Sequence, residues 1–375
     1  MSSTITEQTF YLQPDDGLHP DTLEKAINQG LGFLAQHQYP NGEFCCYIAA
    51  DEPMQGWCVT DNTVFTTSVI ASCLLAIPNT PTTESILTKA TVFISYQMHN
   101  AAVWKFFSNT HRLQKVIPYD ADSLAFASSF LQTRGNRIPE KANKPVLLAN
   151  RSRKGLFYTW FILRPKLHFN KTLWRLGLTR LLTPISSLLF WPAYEASRND
   201  IDLGVNASIL YYLGEIPETK QVIEELIKVI HQNNENNCDK WYRNPFTIYY
   251  LISRAYDKGV KGLQPVATPI IERIIATASK DGQLGKSILD TALGIITLVN
   301  LEHNSKALQK SVDFIIKKQQ PNGEWPRWLY YYGGPKLLMG WGSEELTTAF
   351  CLEAIAKYQS AFMNQTEAIK PQHKS

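Results

Sequence analysis

Two carboxylates one residue apart, Asp120 and Asp122, open the stretch Pro118-Tyr119-Asp120-Ala121-Asp122-Ser123-Leu124-Ala125-Phe126-Ala127, which continues without charge to Gln132. Read as a helix, the stretch puts Asp120 at or near the N-cap, where a carboxylate accepts the backbone N–H groups left over at a helix start. Asp122 falls in the first turn, on the face of Phe126, Ser129 and Phe130, while Leu124, Ala127, Ser128 and Leu131 take the other face. Neither face suits water, and a helix without a polar face is normally buried. A buried carboxylate is costly, so it is paired or stays protonated. A carboxyl held protonated near neutral pH is a general acid. The simpler reading makes Asp120 a cap and Asp122 a first-turn acid facing solvent.

Holding such a pair requires elements that bury helices on every side. Amphipathic helices are expected at about 21–37, 84–98, 218–231, 267–278 and 305–318. They alternate with helices apolar all round, at about 61–77, 120–132, 202–213, 245–256, 287–300 and 344–357, most beginning near an acid. Six apolar helices imply six hairpins, although periodicity does not place the third outer helix. Hairpins of this kind close into an all-α, (α/α)6 toroid with the apolar helices inside. The expected boundaries are an N-terminal extension over 1–20, the toroid over 21–358 and a tail over 359–375.

The two ends of the chain carry the same turn: Gln38-xxx-Gly42-x-Phe44 matches Gln319-xxx-Gly323-x-Trp325, and both contain Pro-Asn-Gly-Glu. With these turns the chain resembles the prenyltransferase/squalene-oxidase repeat proteins, which include class II terpene cyclases and protein prenyltransferase β-subunits. Asp120-Ala121-Asp122-Ser123 looks like the Asp-x-Asp-Asp acid motif of squalene–hopene-type cyclases. That resemblance implies a proton-donating Asp122 at the third letter, with Asp120 at the first and Ser123 where those enzymes have Asp. It implies no metal or organic cofactor. Protein prenyltransferase β-subunits hold zinc through Asp, Cys and His; the nearest candidates, Cys238-Asp239 and Cys58 with Asp61, have no His in matching context. Cyclases of this kind usually use two helical barrels. One toroid places the cavity in its mouth, under an insertion, or at a homodimer interface.

The chain has 375 residues and is 44% hydrophobic and 19% charged, with nine Trp and seventeen each of Tyr and Phe. Its net charge of +4 is too small for a general nucleic-acid binder. No apolar run spans a bilayer, Met1 to Gly17 lacks the basic start and apolar core of a signal peptide, and the six cysteines form no regular ladder. These features read as reduced thiols in a cytosolic protein. The charge is unevenly spread. Between Thr133 and Tyr194 twelve Lys and Arg face the single acid Glu140, a net +11 that leaves −7 for the rest. Leu, Phe and Trp interleave with these cations, including Phe157, Trp160, Trp174, Phe190 and Trp191. The segment suits peripheral contact with a membrane surface, an anionic lipid, or the role of a packed lid whose cations are solvated.

Aligning the apolar helices brings Asp61, Asp200, Asp202, Asp290 and the pair Glu344-Glu345 into register with Asp120 and Asp122. Most are expected as helix N-terminal acids, and a crowd of them raises the pKa of any buried member. Asp202 is the second catalytic candidate, because Asp200-x-Asp202 repeats the spacing of Asp120-x-Asp122. Aromatics gather beside the same helix starts: Trp57, Tyr119, Trp241, Tyr242, Phe246, Trp325, Trp328, Tyr330 to Tyr332 and Trp341. Their faces attract cations, and they shape an apolar cavity.

The resemblance implies acid-initiated cyclisation of a hydrophobic, isoprenoid-like substrate, and the acid pair, the aromatics and the basic segment are consistent with it. Asp122, Asp120 and Asp202 are the acid candidates. Ser123, Tyr119, Phe126, Asp61, Asp200, Trp57, Tyr242, Phe246, Asp290, Trp328, Tyr331, Trp341 and Glu345 are the candidate substrate contacts. The rivals are acid cyclisation of a non-terpenoid intermediate, a non-catalytic toroid binding a lipid or protein, and a glycosidase using Asp122 with Asp202 or Asp290.

Overall fold

The computed structural model describes residues 18–164, 170–178, 190–192, 196–333 and 338–363. Six helices form an inner ring: α2 (Val64–Leu74), α4 (Ala121–Thr133), α7 (Leu203–Leu213), α9 (Pro245–Asp257), α11 (Ile288–Asn300) and α13 (Glu344–Tyr358). Each packs on the next, and α13 closes the ring against α2. Between them run the outer helices α1 (Pro20–His37), α3 (Pro81–Tyr96), α5 (Ile138–Ala149), α8 (Lys220–His231), α10 (Ala267–Ala276) and α12 (Lys306–Lys317). The chain is an (α/α)6 toroid. Burial follows composition: every residue of α4 from Ala121 to Leu131 is buried, whereas α8 buries only Val222, Ile223, Leu226, Val229 and Ile230.

Because inner and outer helices alternate, all inner helices start at one mouth. Their N-caps are Thr63, Asp120, Asp202, Asn244, Ser287 and Ser343, residue types that accept leftover helix N–H groups. Five of these side chains do so. Asp202 does not, and its carboxylate turns elsewhere.

The repeated turns tie neighbouring outer helices together. Gln38 donates to Gly42 O at 3.0 Å and to Ile86 O of α3 at 3.1 Å; Gln319 donates to Gly323 O and to Ala26 O of α1, both at 3.0 Å. Gly42 and Gly323 have φ of +92° and +95° and lie against the carbonyls of Lys89 and Gln29, where a Cβ has no room. Ser279 to Leu284 is a degenerate third copy, with Gly282 at φ +98° against Lys310 O.

Three features differ from the sequence reading. The third outer helix is α5, inside the basic segment, where Pro145 within the helix hides its period. Helix α2 starts at Val64 under Thr63, so Asp61 stands before the helix and is not a helix-end acid. The links following the Gln38 and Gln319 turns form a four-stranded antiparallel sheet at the mouth, ordered β2-β1-β4-β3: β1 (Tyr47–Ala49), β2 (Cys58–Thr60), β3 (Leu329–Gly333) and β4 (Met339–Gly342). Strands of three to five residues are too short to show alternation. A further helix, α6 (Lys171–Leu178), lies beyond α5.

Candidate active site

The toroid mouth holds an apolar cavity, about 650 Å³ when the open solvent at its mouth is included. Its walls are Phe65, Phe106, Phe107, Ile117, Trp160, Phe190, Val205, Trp241, Tyr242, Tyr331, Tyr332, Gly333 and Trp341, with Asp120, Asp122, Ser123 and Thr159 supplying polar atoms. The start of α4, the sheet and the described part of the basic segment therefore meet around one space. Thr159, Trp160 and Phe190 come from that segment.

Both carboxyls of the pair are buried. Asp120 Oδ1 accepts the Ser123 N–H at 2.7 Å, and Oδ2 has no partner. Asp122 Oδ2 accepts the Tyr242 hydroxyl at 2.5 Å, and Oδ1 has no partner. Ser123 serves Asp120 through its N–H, and its side chain also draws the Asp120 pKa down. Burial pushes the Asp120 carboxyl up to about 7, opposed by the Ser123 N–H and reinforced by the Asp122 charge. Burial pushes Asp122 up to about 6, opposed chiefly by the Tyr242 hydroxyl. Two carboxyls with pKa values raised to about 7 and about 6, each with one oxygen lacking a hydrogen-bond partner, thus border an apolar space.

Behind this wall lies a buried cation. Arg254 of α9 stacks over Phe126, Tyr211 and Tyr250 at 4.8, 4.3 and 5.3 Å, and the Tyr250 hydroxyl donates to Glu353 at 3.0 Å. The Arg254 charge draws the Asp122 pKa down and holds the system short of full neutralisation.

Of the residues expected from the sequence, Asp120, Asp122, Ser123, Tyr242, Tyr331 and Trp341 line the cavity. Asp61, Asp200 and Asp202 stand one layer back, hydrogen-bonded to wall residues. Phe126 packs behind Phe65, with ring centres 5.2 Å apart. The others lie away from the cavity. Tyr119 packs beside His99 and Lys105, and Phe246 against Tyr249. Asp290 binds Asn244, Glu345 meets His37 at 3.2 Å, and Trp328 packs partly buried on the core. Trp57 is 54% exposed. They share sequence register with the pair, but the cavity sits toward one side of the ring, where α2, α4 and α7 begin. Sequence reasoning missed Phe65, Phe106, Phe107, Thr159 and buried Asp239. Asp239 accepts the N–H groups of Gly204, Trp241 and Tyr242. Only its neighbour Cys238 marked it, as a metal candidate. Among the described residues no His, Cys, Asp or Glu side chains group as a metal site, and no helix is long and apolar enough to cross a membrane.

No protein-family model and no curated protein matches the chain. Solved structures do. The type II terpene cyclase MstE from Scytonema superposes with a TM-score of 0.66 at 15% identity, covering 91% of this chain and 99% of the cyclase. Forms of MstE have been solved with geranylgeranyl dihydroxybenzoate as substrate and merosterolic acid A as product. A possible GH105-family member from Salmonella enterica gives 0.52 at 12% identity, covering 96% and 99%. Cellobiose 2-epimerase from Spirochaeta thermophila gives 0.50 at 14% identity, covering 92% and 99%. At these identities the likeness is one of fold, shared with a cyclase and with sugar-acting enzymes.

Proposed function

We propose that the protein is a class II, terpene-cyclase-like enzyme that protonates and cyclises a hydrophobic polyene or isoprenoid. The observation that carries this reading is Asp122, a buried carboxyl with a raised pKa and an Oδ1 without a hydrogen-bond partner, in the lining of a cavity walled by aromatic rings. Protonated Asp122 delivers its proton to a terminal alkene or epoxide. Asp120 caps α4 and holds in place the helix start that carries Asp122. Tyr242 fixes the carboxyl by donating to Oδ2, which leaves Oδ1 as the oxygen to carry the proton. The resulting cation runs along aromatic faces, each worth about 0.5 to 2 kcal/mol when desolvated, and loses a proton at the end.

The apolar walls argue against a sugar, whose hydroxyls would find few partners here. The likeness to MstE supports a prenylated substrate, and the basic segment 133–194 supports collection of that substrate from a membrane surface in the cytoplasm. Residues 165–169, 179–189 and 193–195 of that segment, with Lys166 and Arg180, lie outside the described residues, as do 1–17 and 364–375. The test is incubation in D2O with geranylgeraniol, its diphosphate and geranylgeranyl dihydroxybenzoate. Proton-initiated cyclisation yields a product isomeric with its substrate but carrying deuterium at the initiating carbon; a product without deuterium contradicts the reading.

A further inference from the structure

Trp104 and Trp325 are fully buried away from the cavity, and each gives its indole N–H to a backbone carbonyl, Ile94 O at 2.9 Å and Ile315 O at 2.6 Å. The three tryptophans that line the cavity meet charge instead. Trp341 donates to Asp61 Oδ2 at 2.7 Å, Trp241 to Asp202 Oδ2 at 3.0 Å, and Trp160 to Asp200 Oδ2 at 3.2 Å. None of the three carboxylates borders the cavity; each stands behind its ring.

Each carboxylate is itself held in place. Asp61 Oδ1 lies 2.8 Å from His111 Nε2, and because His111 Nδ1 accepts the Leu113 N–H, Nε2 carries the proton and donates. Asp202 also accepts the Thr159 hydroxyl at 2.6 Å and the Lys240 N–H at 3.2 Å, three donors in all; burial and the Asp200 charge push its pKa up, and the Thr159 and Lys240 bonds oppose that rise. Asp200 takes the Lys240 ammonium at 2.7 Å and the Ser197 N–H at 2.8 Å. The Asp200-Ile201-Asp202 spacing has a purpose in this arrangement. Asp202 is in extended backbone, where residues two apart point the same way, and the two acids reach Trp160 and Trp241, which meet edge to face at 5.5 Å.

We infer that Asp61, Asp200 and Asp202 are positioning residues that act through Trp341, Trp160 and Trp241, fixing each indole and enriching its face in electron density so that the wall stabilises a cationic intermediate. The inference rests on the cyclase reading and extends it to the acids that protonate nothing. A carboxylate bonded to the indole N–H draws on the proton and leaves more negative charge in the ring, which strengthens its attraction for a cation. Placing the charge behind the ring has a second consequence. A carboxylate in contact with the ring-forming cation would capture it as an ester, whereas an indole between the two screens it and still passes on its field.

The test uses full-length protein labelled with 15N-tryptophan, as wild type and as Asp61→Asn, Asp200→Asn and Asp202→Asn. Asn keeps an acceptor oxygen and removes the charge. Each variant should move one indole N–H resonance upfield and leave those of Trp104 and Trp325 in place. With geranylgeraniol and geranylgeranyl dihydroxybenzoate as probes, Asp202→Asn should lower kcat about tenfold with KM within about twofold, and raise the share of partly cyclised products. Indole resonances that stay put, or variants with wild-type product ratios, overturn the inference while leaving Asp122 as the donor. A wild type that cyclises neither of these probes nor geranylgeranyl diphosphate overturns the parent reading and reduces the indole bonds to packing.

Discussion

The Tyr242 hydroxyl donates to Asp122 Oδ2 at 2.5 Å and so leaves Oδ1 as the oxygen without a partner. The two residues come from different repeats, 120 positions apart, and Tyr242 is held in turn by its own N–H bond to Asp239. The contact orients the acid and also weakens it less than burial alone would, because a donor to a carboxylate favours the ionised form.

Removing that donor should therefore change acidity as well as rate. A general acid works while protonated, so kcat/KM should fall as pH rises through the region of about 6 to 7 set by Asp122 and Asp120. Tyr242→Phe should move this limb to higher pH by about one unit and lower kcat by about tenfold. A pH–rate profile of wild type and variant checks this. An unmoved limb would separate Tyr242 from the acid.

The pair should also cost stability at neutral pH. With the folded pKa of Asp122 raised to about 6, the unfolded chain ionises first as pH rises. Stability from this group is fully present below about pH 4, falls between about 4 and 6, and stays lost above that. Asp122→Asn, uncharged at every pH, should be more stable than wild type by about 3 kcal/mol at pH 8 and by little at pH 4. Asp120→Asn should behave alike, since Asn keeps the cap. Urea unfolding at the two pH values measures both.

Much of this frame could be read in the residues. All-round apolar helices such as 120–132 can only be inner helices, and a Pro-Asn-Gly-Glu turn repeated at both ends marks a closed repeat. The pair at Asp120 and Asp122 stood out because carboxylates are rare in such company. What the sequence could not show is which side of the ring holds the cavity. Equivalent positions on six similar helices look alike in one dimension, so Asp290 and Glu345 were expected beside Asp122 and instead bind Asn244 and His37. Phe106 and Phe107 were invisible for a different reason: they sit between helices, in a link without periodicity, and Thr63 bridges to Phe107 only in three dimensions.

Closure of the ring depends on the last turn meeting the first helix. At Gly323, φ is +95° and an added Cβ would stand 2.3 Å from Gln29 O. Gly323→Ala should destabilise by about 2 kcal/mol or more, and Gln319→Ala by about 1 to 3 kcal/mol through two unanswered carbonyls. Gly135→Ala is the control, since its φ is +84° but nothing lies within reach of the new Cβ. Thermal melts that rank Gly135→Ala as the worse change would contradict the closure role.

Buried Arg254 should resist truncation. Arg254→Ala takes one of two favourable positive charges away from buried Glu353 and opens a hole among Phe126, Tyr211 and Tyr250, at a cost of about 3 to 5 kcal/mol. Arg254→Met fills the hole, and where it folds, the Asp122-controlled limb should move to higher pH because a neighbouring positive charge is gone. Circular dichroism melts and the same pH–rate profile check the two effects.

The central claim is that the proton of Asp122 starts the reaction, and mass spectrometry of products from wild type beside Asp122→Asn tests it most directly. With geranylgeraniol, its diphosphate and geranylgeranyl dihydroxybenzoate offered in turn, wild type should convert at least one into isomers of unchanged mass. Asp122→Asn, folded and at least as stable, should give none. Cyclised product from Asp122→Asn at the wild-type rate would contradict the account.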